Sequence, residues 1–223
     1  MGLNMAFYDP NEKNIDHKKV HVTKGLVFTP NNEVLHLEGP VTGEYISRLK
    51  MDEGLSNFRP PKNQQEALIT ICNLQNGKVF VARHDNNIIG YVTFHHPDEY
   101  SRWHNHPWVL ELGAIEVTKS WRKYRVAYHL IKEAFSNSFV EEFIIITIEY
   151  CWHWDLRNSQ LTIWDYQKML TKLFASVDLK KRATDDPDIL EHPANVLMVR
   201  HGNNVPKEAV QRFEELTFKS KYL

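Results

Sequence analysis

Leu110-Glu111-Leu112-Gly113-Ala114-Ile115-Glu116-Val117, then Thr118-Lys119-Ser120-Trp121-Arg122-Lys123, then Tyr124-Arg125-Val126-Ala127-Tyr128-His129-Leu130-Ile131: the reading of these three segments decides the fold. Trp108 to Val117 has the apolar, β-branched character of a strand, and Glu111 and Glu116 are out of place in it unless they face solvent or have a task. In the third segment Ala127, Leu130 and Ile131, continued by Ala134 and Phe135, recur at i, i+3, i+4, i+7 and i+8. That spacing predicts a helix with one buried stripe, beginning near Tyr124. The basic loop Thr118 to Lys123 lies between strand and helix. A helix N-terminus offers free amides and a positive dipole end, so a phosphate-rich cofactor could sit there, although many α/β proteins make the same turn for packing alone.

Outward from this unit, Lys78 to Arg83 and Ile88 to His95 read as a hairpin across His84-Asp85-Asn86-Asn87, residues that tolerate tight turns. Phe143 to Tyr150 is a continuous apolar strand of the kind buried on both faces. Helical periodicity is expected at Tyr45 to Met51, Lys62 to Leu74, Trp164 to Phe174 and Lys207 to Leu216, and strands at Val34 to Leu37 and Ala194 to His201. Phe58-Arg59-Pro60-Pro61 must be extended or turned, since each residue before a proline is pushed out of the helical region. Residues 1–32 are polar and read as a loosely attached extension, in which only Val20 to Phe28 could pair as an edge strand. Residues 33–223 form the expected domain. The interleaving of strands and helices implies a mixed α/β sheet with helices on its faces.

Composition excludes several classes. Of 223 residues, 42% are hydrophobic and 25% charged, which suits a soluble packed domain. The 27 Lys and Arg nearly balance the 28 Asp and Glu, so nucleic-acid binding is disfavoured. The longest apolar run, Phe143 to Ile148, is too short to span a bilayer, and a cytoplasmic location is expected. Cys72 and Cys151 fall within regular elements and read as reduced core thiols. No histidine pair has a recognised ligand spacing, so no metal is expected.

Several strings carry a resemblance. The strand order, with Leu112-Gly113-Ala114-Ile115-Glu116-Val117 before Trp121-Arg122, resembles the GNAT acetyltransferase superfamily. Phe58-Arg59-Pro60-Pro61, Glu111 to Val117, Glu149-Tyr150-Cys151-Trp152-His153-Trp154-Asp155-Leu156, Ala183-Thr184-Asp185-Asp186-Pro187 and His192-Pro193-Ala194-Asn195 are similar, more closely, to the acetoin-utilisation acetyltransferase family, AcuA. The resemblance implies a GNAT-like, mixed and mostly antiparallel sheet flanked by helices on both faces. It implies acetyl-CoA as cosubstrate, and as acceptor a lysine of acetyl-CoA synthetase, whose activity acetylation lowers. The cofactor would be held by Ile115, Val117, Arg122, Lys123, Tyr124, Arg125, Val126, Ala127 and Tyr128. One departure stands out, because Arg125 occupies the place of the loop's central glycine and Lys123 that of another. Their side chains would either block close approach of the backbone amides or add charged contacts to the CoA phosphates.

A thioester is already activated, so the protein need only position the amine, remove its proton and stabilise the oxyanion. A free lysine titrates near about 10.4, so a base is expected. Glu111 or Glu116 on the strand flanking the cofactor is the natural carboxylate, and strict alternation would put the two on opposite faces. A solvated outward position is the plainer reading of each. Tyr150, Trp152, His153 and Asp155 follow the buried strand where the acceptor would enter. His153 could relay a proton with Asp155 orienting it, or belong to a Trp-rich corner. Tyr166, on the next helix, matches a tyrosine that in the superfamily protonates the leaving thiolate, or else packs against the sheet. Asp185 and Asp186, with Asp188, could recognise a basic acceptor segment or simply cap a helical turn. Arg59 would sit beside the acceptor cleft. A non-catalytic module that binds the synthetase, and a small-amine acetyltransferase, are the competing readings; a homodimer is left open.

Overall fold

In the computed structural model of the protein, which describes residues 23–30 and 33–219, the apolar runs pair into one sheet. Its strands are β1 (Thr23–Phe28), β2 (Val34–Gly39), β3 (Lys50–Met51), β4 (Lys78–His84), β5 (Asn87–His95), β6 (Val109–Val117), β7 (Ile144–Glu149), β8 (Lys180–Arg182) and β9 (Val196–His201). The helices are α1 (Gly43–Ser47), α2 (Pro61–Cys72), α3 (Val126–Phe135), α4 (Leu156–Ser159), α5 (Ile163–Ala175), α6 (Pro187–Leu190) and α7 (Lys207–Thr217). The order β1-β2-β4-β5-β6-β7-β9-β8 is antiparallel at every step except β6–β7, and the short β3 adds a parallel pairing to β5. The expected fold class holds.

Helices cover both faces. Val126, Leu130, Ile131 and Ala134 of α3 and Leu170 and Phe174 of α5 pack with Val92, Phe94, Leu110 and Leu112. On the other face Leu68 of α2 meets Val79, Val81 and Tyr91, and Phe213 of α7 meets Val109, Ile144 and Ile146. Burying each such side chain stabilises the fold by about 1.5–3 kcal/mol, which makes these stripes the reason the helices sit where they do. Cys72 and Cys151 are both free thiols within this packing.

Several boundaries differ from the sequence reading. The helix expected at Tyr45 to Met51 starts earlier, because Thr42 Oγ1 caps the Tyr45 N–H at 3.1 Å, and ends at Ser47. Lys50 and Met51 instead join the sheet, the Lys50 N–H reaching the Asn86 carbonyl at 2.9 Å. The basic loop after β6 winds into a 3-10 turn over Lys119–Tyr124. Strand β8 was not foreseen, since Lys180, Lys181 and Arg182 are all exposed and show no alternation. Of the edge strand expected at 20–28, residues 23–28 form β1; residues 1–22 lie outside the described residues.

Two irregularities shape the centre of the sheet. The parallel β6–β7 ladder ends at Glu111 opposite Ile146, after which β6 runs on to Val117 and β7 to Glu149 unpaired with each other. The strands part there. The β5–β6 register also slips: Thr93 pairs with Ala114 but Phe94 with Leu112, so Gly113 is an extra residue on β6. Directly opposed residues share a face, so Glu111 opposite His95, Ala114 opposite Thr93 and Glu116 opposite Tyr91 all point to the α2 side. Strict alternation, which separates Glu111 from Glu116, is corrected by that one-residue bulge. A Cβ at its apex would run into the His95 ring and force that side chain to move.

Candidate active site

The parted strands open onto a cleft of about 500 Å³, with Ile115, Val117, Ala127 and Tyr128 on one wall and Tyr166 and Leu170 of α5 on the other. A chamber of about 70 Å³ continues from it, walled by Gly113, Ala114, Glu149, Tyr150 and His153. Asn57, Ile115, Tyr166 and Leu170 border both spaces, so a ligand in the cleft can reach the chamber.

Helix α3 begins at the mouth of the cleft without a side-chain cap. Its opening amides, those of Val126, Ala127 and Tyr128, therefore have no acceptor within the helix. Lys119, Arg122 and Arg125 border the same space. Uncapped amides beside three cations fit an anionic pyrophosphate. Arg125 caps α3 in the left-handed region, φ 57 and ψ 31, which is the conformation its glycine-like place demands. Its guanidinium rests 4.4 Å from the Tyr128 ring centroid.

Not every expected cofactor residue faces the cleft. Val126 is buried in the core, so only its amide is available. Lys123 lies 4.9 Å over the Tyr124 ring and Tyr124 packs on Trp121, all outside the cleft lining. Arg122 turns inward: its Nε donates to the Val117 carbonyl at 2.9 Å and its Nη2 to Asp155 Oδ2 at 2.7 Å. It thereby ties the end of β6 to the start of α4.

That contact also corrects the role expected for Asp155. Its carboxylate accepts from Arg122 and from the backbone and side-chain amides of Asn158, not from His153. Burial pushes the group up, but the Arg122 and Asn158 contacts prevail and hold it below the usual carboxylate range. Asp185 and Asp186 are likewise corrected. Arg102 engages both, at 2.5 Å each, and Asp186 caps α6 through the Asp188 N–H at 3.1 Å. They staple the loop after β5 to the C-terminal elements and are not poised for an external partner.

Beyond β7 the structure gathers Tyr150, Trp152 and His153, three residues expected at the acceptor entrance, with the Tyr150 and Trp152 rings stacked at 4.7 Å and Phe58 edge-on to His153 at 6.5 Å. Burial lowers the His153 value and raises that of Tyr150. Arg59 is exposed beside this loop and bonds Gln64 at 3.2 Å. Tyr166 stacks on Trp154 at 5.3 Å, and burial raises its phenol so that it stays protonated. Glu116 is 5% exposed and doubly held, Oε1 by the Asn57 N–H at 2.9 Å and Oε2 by the Tyr91 hydroxyl at 2.5 Å. Burial raises its carboxyl despite these donors. Glu111 has no hydrogen-bond partner among the described residues; burial, with Asp98 and Glu149 nearby, pushes it up to about 7.

Sequence reasoning missed Asn57, whose Nδ2 also reaches the His153 carbonyl at 3.0 Å and so bridges two walls. Nothing in its local sequence distinguishes it from a loop asparagine. It also missed Tyr91 and Glu149, for which a polar group inside an apolar strand was the available signal. No cluster of three or more potential metal ligands forms among the described residues. No helix among them is long and apolar enough to cross a membrane.

Comparison with known proteins bears on this geometry. The model of the Acetyltransferase (GNAT) family matches residues 48–149, the span from β3 through β7 that holds the bulge, the basic turn, α3 and the parting strands. An acetoin utilization protein AcuA of Bacillus licheniformis is 39% identical over 211 residues, 94% of this chain and 100% of its own. The chain belongs to the AcuA family of GNAT acetyltransferases. The AcuA of Bacillus subtilis is 38% identical over 93% of this chain and 98% of its own length. The crystal structure of an acetoin utilization protein from Exiguobacterium sibiricum superposes with a TM-score of 0.88 at 40% identity, covering 92% of this chain and 97% of the other. AcuA similarity thus extends past the GNAT match to Tyr166 and the C-terminal elements. As a GNAT family member the chain is an acetyl-CoA-dependent N-acetyltransferase.

Proposed function

We propose that this acetyltransferase acts on a lysine side chain of another protein, and that the protein is acetyl-CoA synthetase, within the acetoin metabolism for which its relatives are named. That reading places it in the cytoplasm. The observation that carries it is the shape and charge of the small chamber: Phe58, Tyr150 and His153 border it, Trp152, 52% exposed, stacks on Tyr150, and the chamber wall carries the Glu149 carboxylate with no lysine or arginine acting on it. Such a chamber suits a long, cationic side chain presented on a surface.

Acetyl-CoA, held at the opening of α3 and between the parted strands, would supply a thioester as acyl donor. The chain's residues then divide the remaining work. Glu111, unpartnered on the α2 side of the gap, takes the proton that keeps the amine from reacting. Glu116 fixes the Asn57 loop against β6, and His153 borders the chamber that an entering amine would cross. Tyr166, kept neutral by burial, holds the proton needed by the departing thiolate. Arg122 with Asp155 keeps the two walls of the cleft in register.

Incubating the protein with acetyl-CoA and purified acetyl-CoA synthetase, followed by peptide mass spectrometry, tests this. Acetylation of a synthetase lysine is expected, lost in Glu111→Gln and reduced in Glu116→Gln and His153→Ala. A stable complex without transfer would instead favour a binding module, and transfer to free polyamines but not to the synthetase would favour a small-amine enzyme.

A further inference from the structure

Two carboxylates stand at the parting of β6 and β7 with no cation to neutralise them. Glu111 is the last residue of β6 paired to β7, and Glu149 ends β7 on the wall of the small chamber. Glu149 accepts one hydrogen bond, from Thr147 Oγ1 at 2.8 Å. The Trp154 indole N–H, on the loop after β7, is directed at it and, with Thr147, works against the effect of burial. The other ionisable neighbours are Asp98 from the loop after β5, Tyr150 and His153 beyond β7, Tyr166 from α5 and, opposite Glu111 on β5, His95. His95 is committed through Nδ1 to the His96 carbonyl at 2.7 Å. No lysine or arginine is among the groups acting on either carboxylate. Glu111, opposite Ile146, faces the α2 side, and Glu149, opposite Val196, faces the α3 and α5 side, so the two half-buried carboxylates flank the gap from either face, and without a counter-ion such groups are costly. A cation delivered from outside removes the cost, and the rings at the opening present faces that an ammonium prefers to water-poor surface.

We propose that Glu149 is the specificity-determining residue for cationic amines: from the wall of the chamber its carboxylate binds the ammonium of the incoming side chain, while Glu111, across the gap on the opposite face of the sheet, removes one of its protons. The inference rests on the lysine reading above. In the step itself one N–H bond of the ammonium breaks, its electron pair stays on nitrogen, and the proton passes to a Glu111 oxygen, which releases it to water after the acyl transfer. Glu149 changes no bond. Its negative charge holds the nitrogen at the gap and, by opposing ionisation of Glu111, leaves that group strong enough as a base to compete for the proton near neutral pH.

The test compares two peptides in the full-length protein with acetyl-CoA: one carrying a lysine, the other an aminooxy side chain that is neutral at pH 7. In Glu149→Gln, KM for the lysine peptide should rise at least about 30-fold, the loss expected when one partner of an enclosed charge pair is removed. KM for the aminooxy peptide and the calorimetric Kd for acetyl-CoA should each stay within about twofold, and Glu149→Asp should recover part of the lysine-peptide loss. A readout independent of turnover is the carboxyl 13C titration of glutamate-labelled protein. In the wild type two side chains should titrate near 7; in Glu149→Gln one should vanish and the Glu111 signal should move to lower pH. An equal loss on both peptides, an unchanged lysine-peptide KM, or an unmoved Glu111 titration overturns the proposal. If Glu149→Gln does not fold, Glu149→Asp must still separate the two peptides, and failure to do so is equally decisive. Should the wild type bind acetyl-CoA yet acetylate neither peptide nor synthetase, the lysine reading has failed; should it acetylate lysine equally with and without Glu149, only the role of Glu149 has.

Discussion

Arg125 offers a measurement in which sequence rule and structure disagree in sign. It holds φ 57 and ψ 31 at the start of α3, where a Cβ costs roughly 1–2 kcal/mol relative to glycine. Its guanidinium contact with Tyr128, at 4.4 Å, returns about 0.5–1 kcal/mol at an exposed site. Arg125→Ala keeps the strain and loses the contact, so it should destabilise by about 0.5–1 kcal/mol. Arg125→Gly loses the same contact and the strain together, at an unfolded-state cost of about 0.5–1 kcal/mol for glycine's extra freedom. The glycine variant should therefore exceed the alanine variant by about 0.5–1 kcal/mol, whereas at a right-handed helical position alanine leads by about that much. In a chain of 223 residues this separates the melting temperatures by about 1–4 °C, with glycine higher. Scanning calorimetry of both variants without acetyl-CoA reads it directly. An alanine variant that melts at or above the glycine one refutes the left-handed cap and, with it, the account of how arginine substitutes for the loop glycine. The same pair separates charge from backbone: if the guanidinium helps hold the CoA phosphates, both variants should lose acetyl-CoA affinity equally, and the loss should shrink in high salt.

Other consequences follow from individual contacts. Tyr91→Phe deletes the 2.5 Å donor to buried Glu116 and should lower stability by about 1.5–3 kcal/mol in urea unfolding. Arg102→Ala leaves Asp185 and Asp186 without their shared cation and should cost about 3–5 kcal/mol, with acetyl-CoA affinity unchanged; a raised acceptor KM at intact stability would instead return a substrate role to those aspartates. Tyr166→Phe should slow transfer on the order of 100-fold while leaving the calorimetric Kd for acetyl-CoA unaltered. Glu111 and Glu149 both titrate near 7 in the native chain against an ordinary 4.5. Between those values the native state holds protons that the unfolded chain has released, so their contribution should make stability fall as pH rises through this window. The double variant Glu111→Gln with Glu149→Gln should flatten that slope.

The elements that set the fold were legible because their signals are local. The stripe from Ala127 to Phe135, the apolar run of β7 and the turn residues between β4 and β5 each state their own structure within a dozen residues. What was not legible depends on pairing. Lys180 to Arg182 become strand β8 only because Val199 to Leu197 lie alongside them. Arg102 finds Asp185 and Asp186 more than eighty positions away, so the acidic string looked available when it was already occupied. Asp155 looked like a partner for His153, two residues distant, yet the guanidinium of Arg122 across the cleft outcompetes it. Asn57 carried no sequence signal at all, since its meaning lies in the two walls that it joins.

The bulge at Gly113 shows how far one such non-local event can reach. Were β6 regular, Glu116 and Glu111 would face opposite sides, and one of them would point into the apolar layer formed by Phe94, Leu112 and α3. The extra residue moves both carboxylates to the α2 side and leaves Leu110, Leu112, Ile115 and Val117 together on the side of α3 and α5. The apolar wall needed along the cleft and the acid-bearing wall needed beside the acceptor thus come from one strand. Because the ladder to β7 stops at Glu111, just below the bulge, the two walls are joined by a gap through which an amine on one side can meet a thioester on the other. Separation of polar from apolar function across this sheet therefore depends less on which residues β6 contains than on where its register breaks.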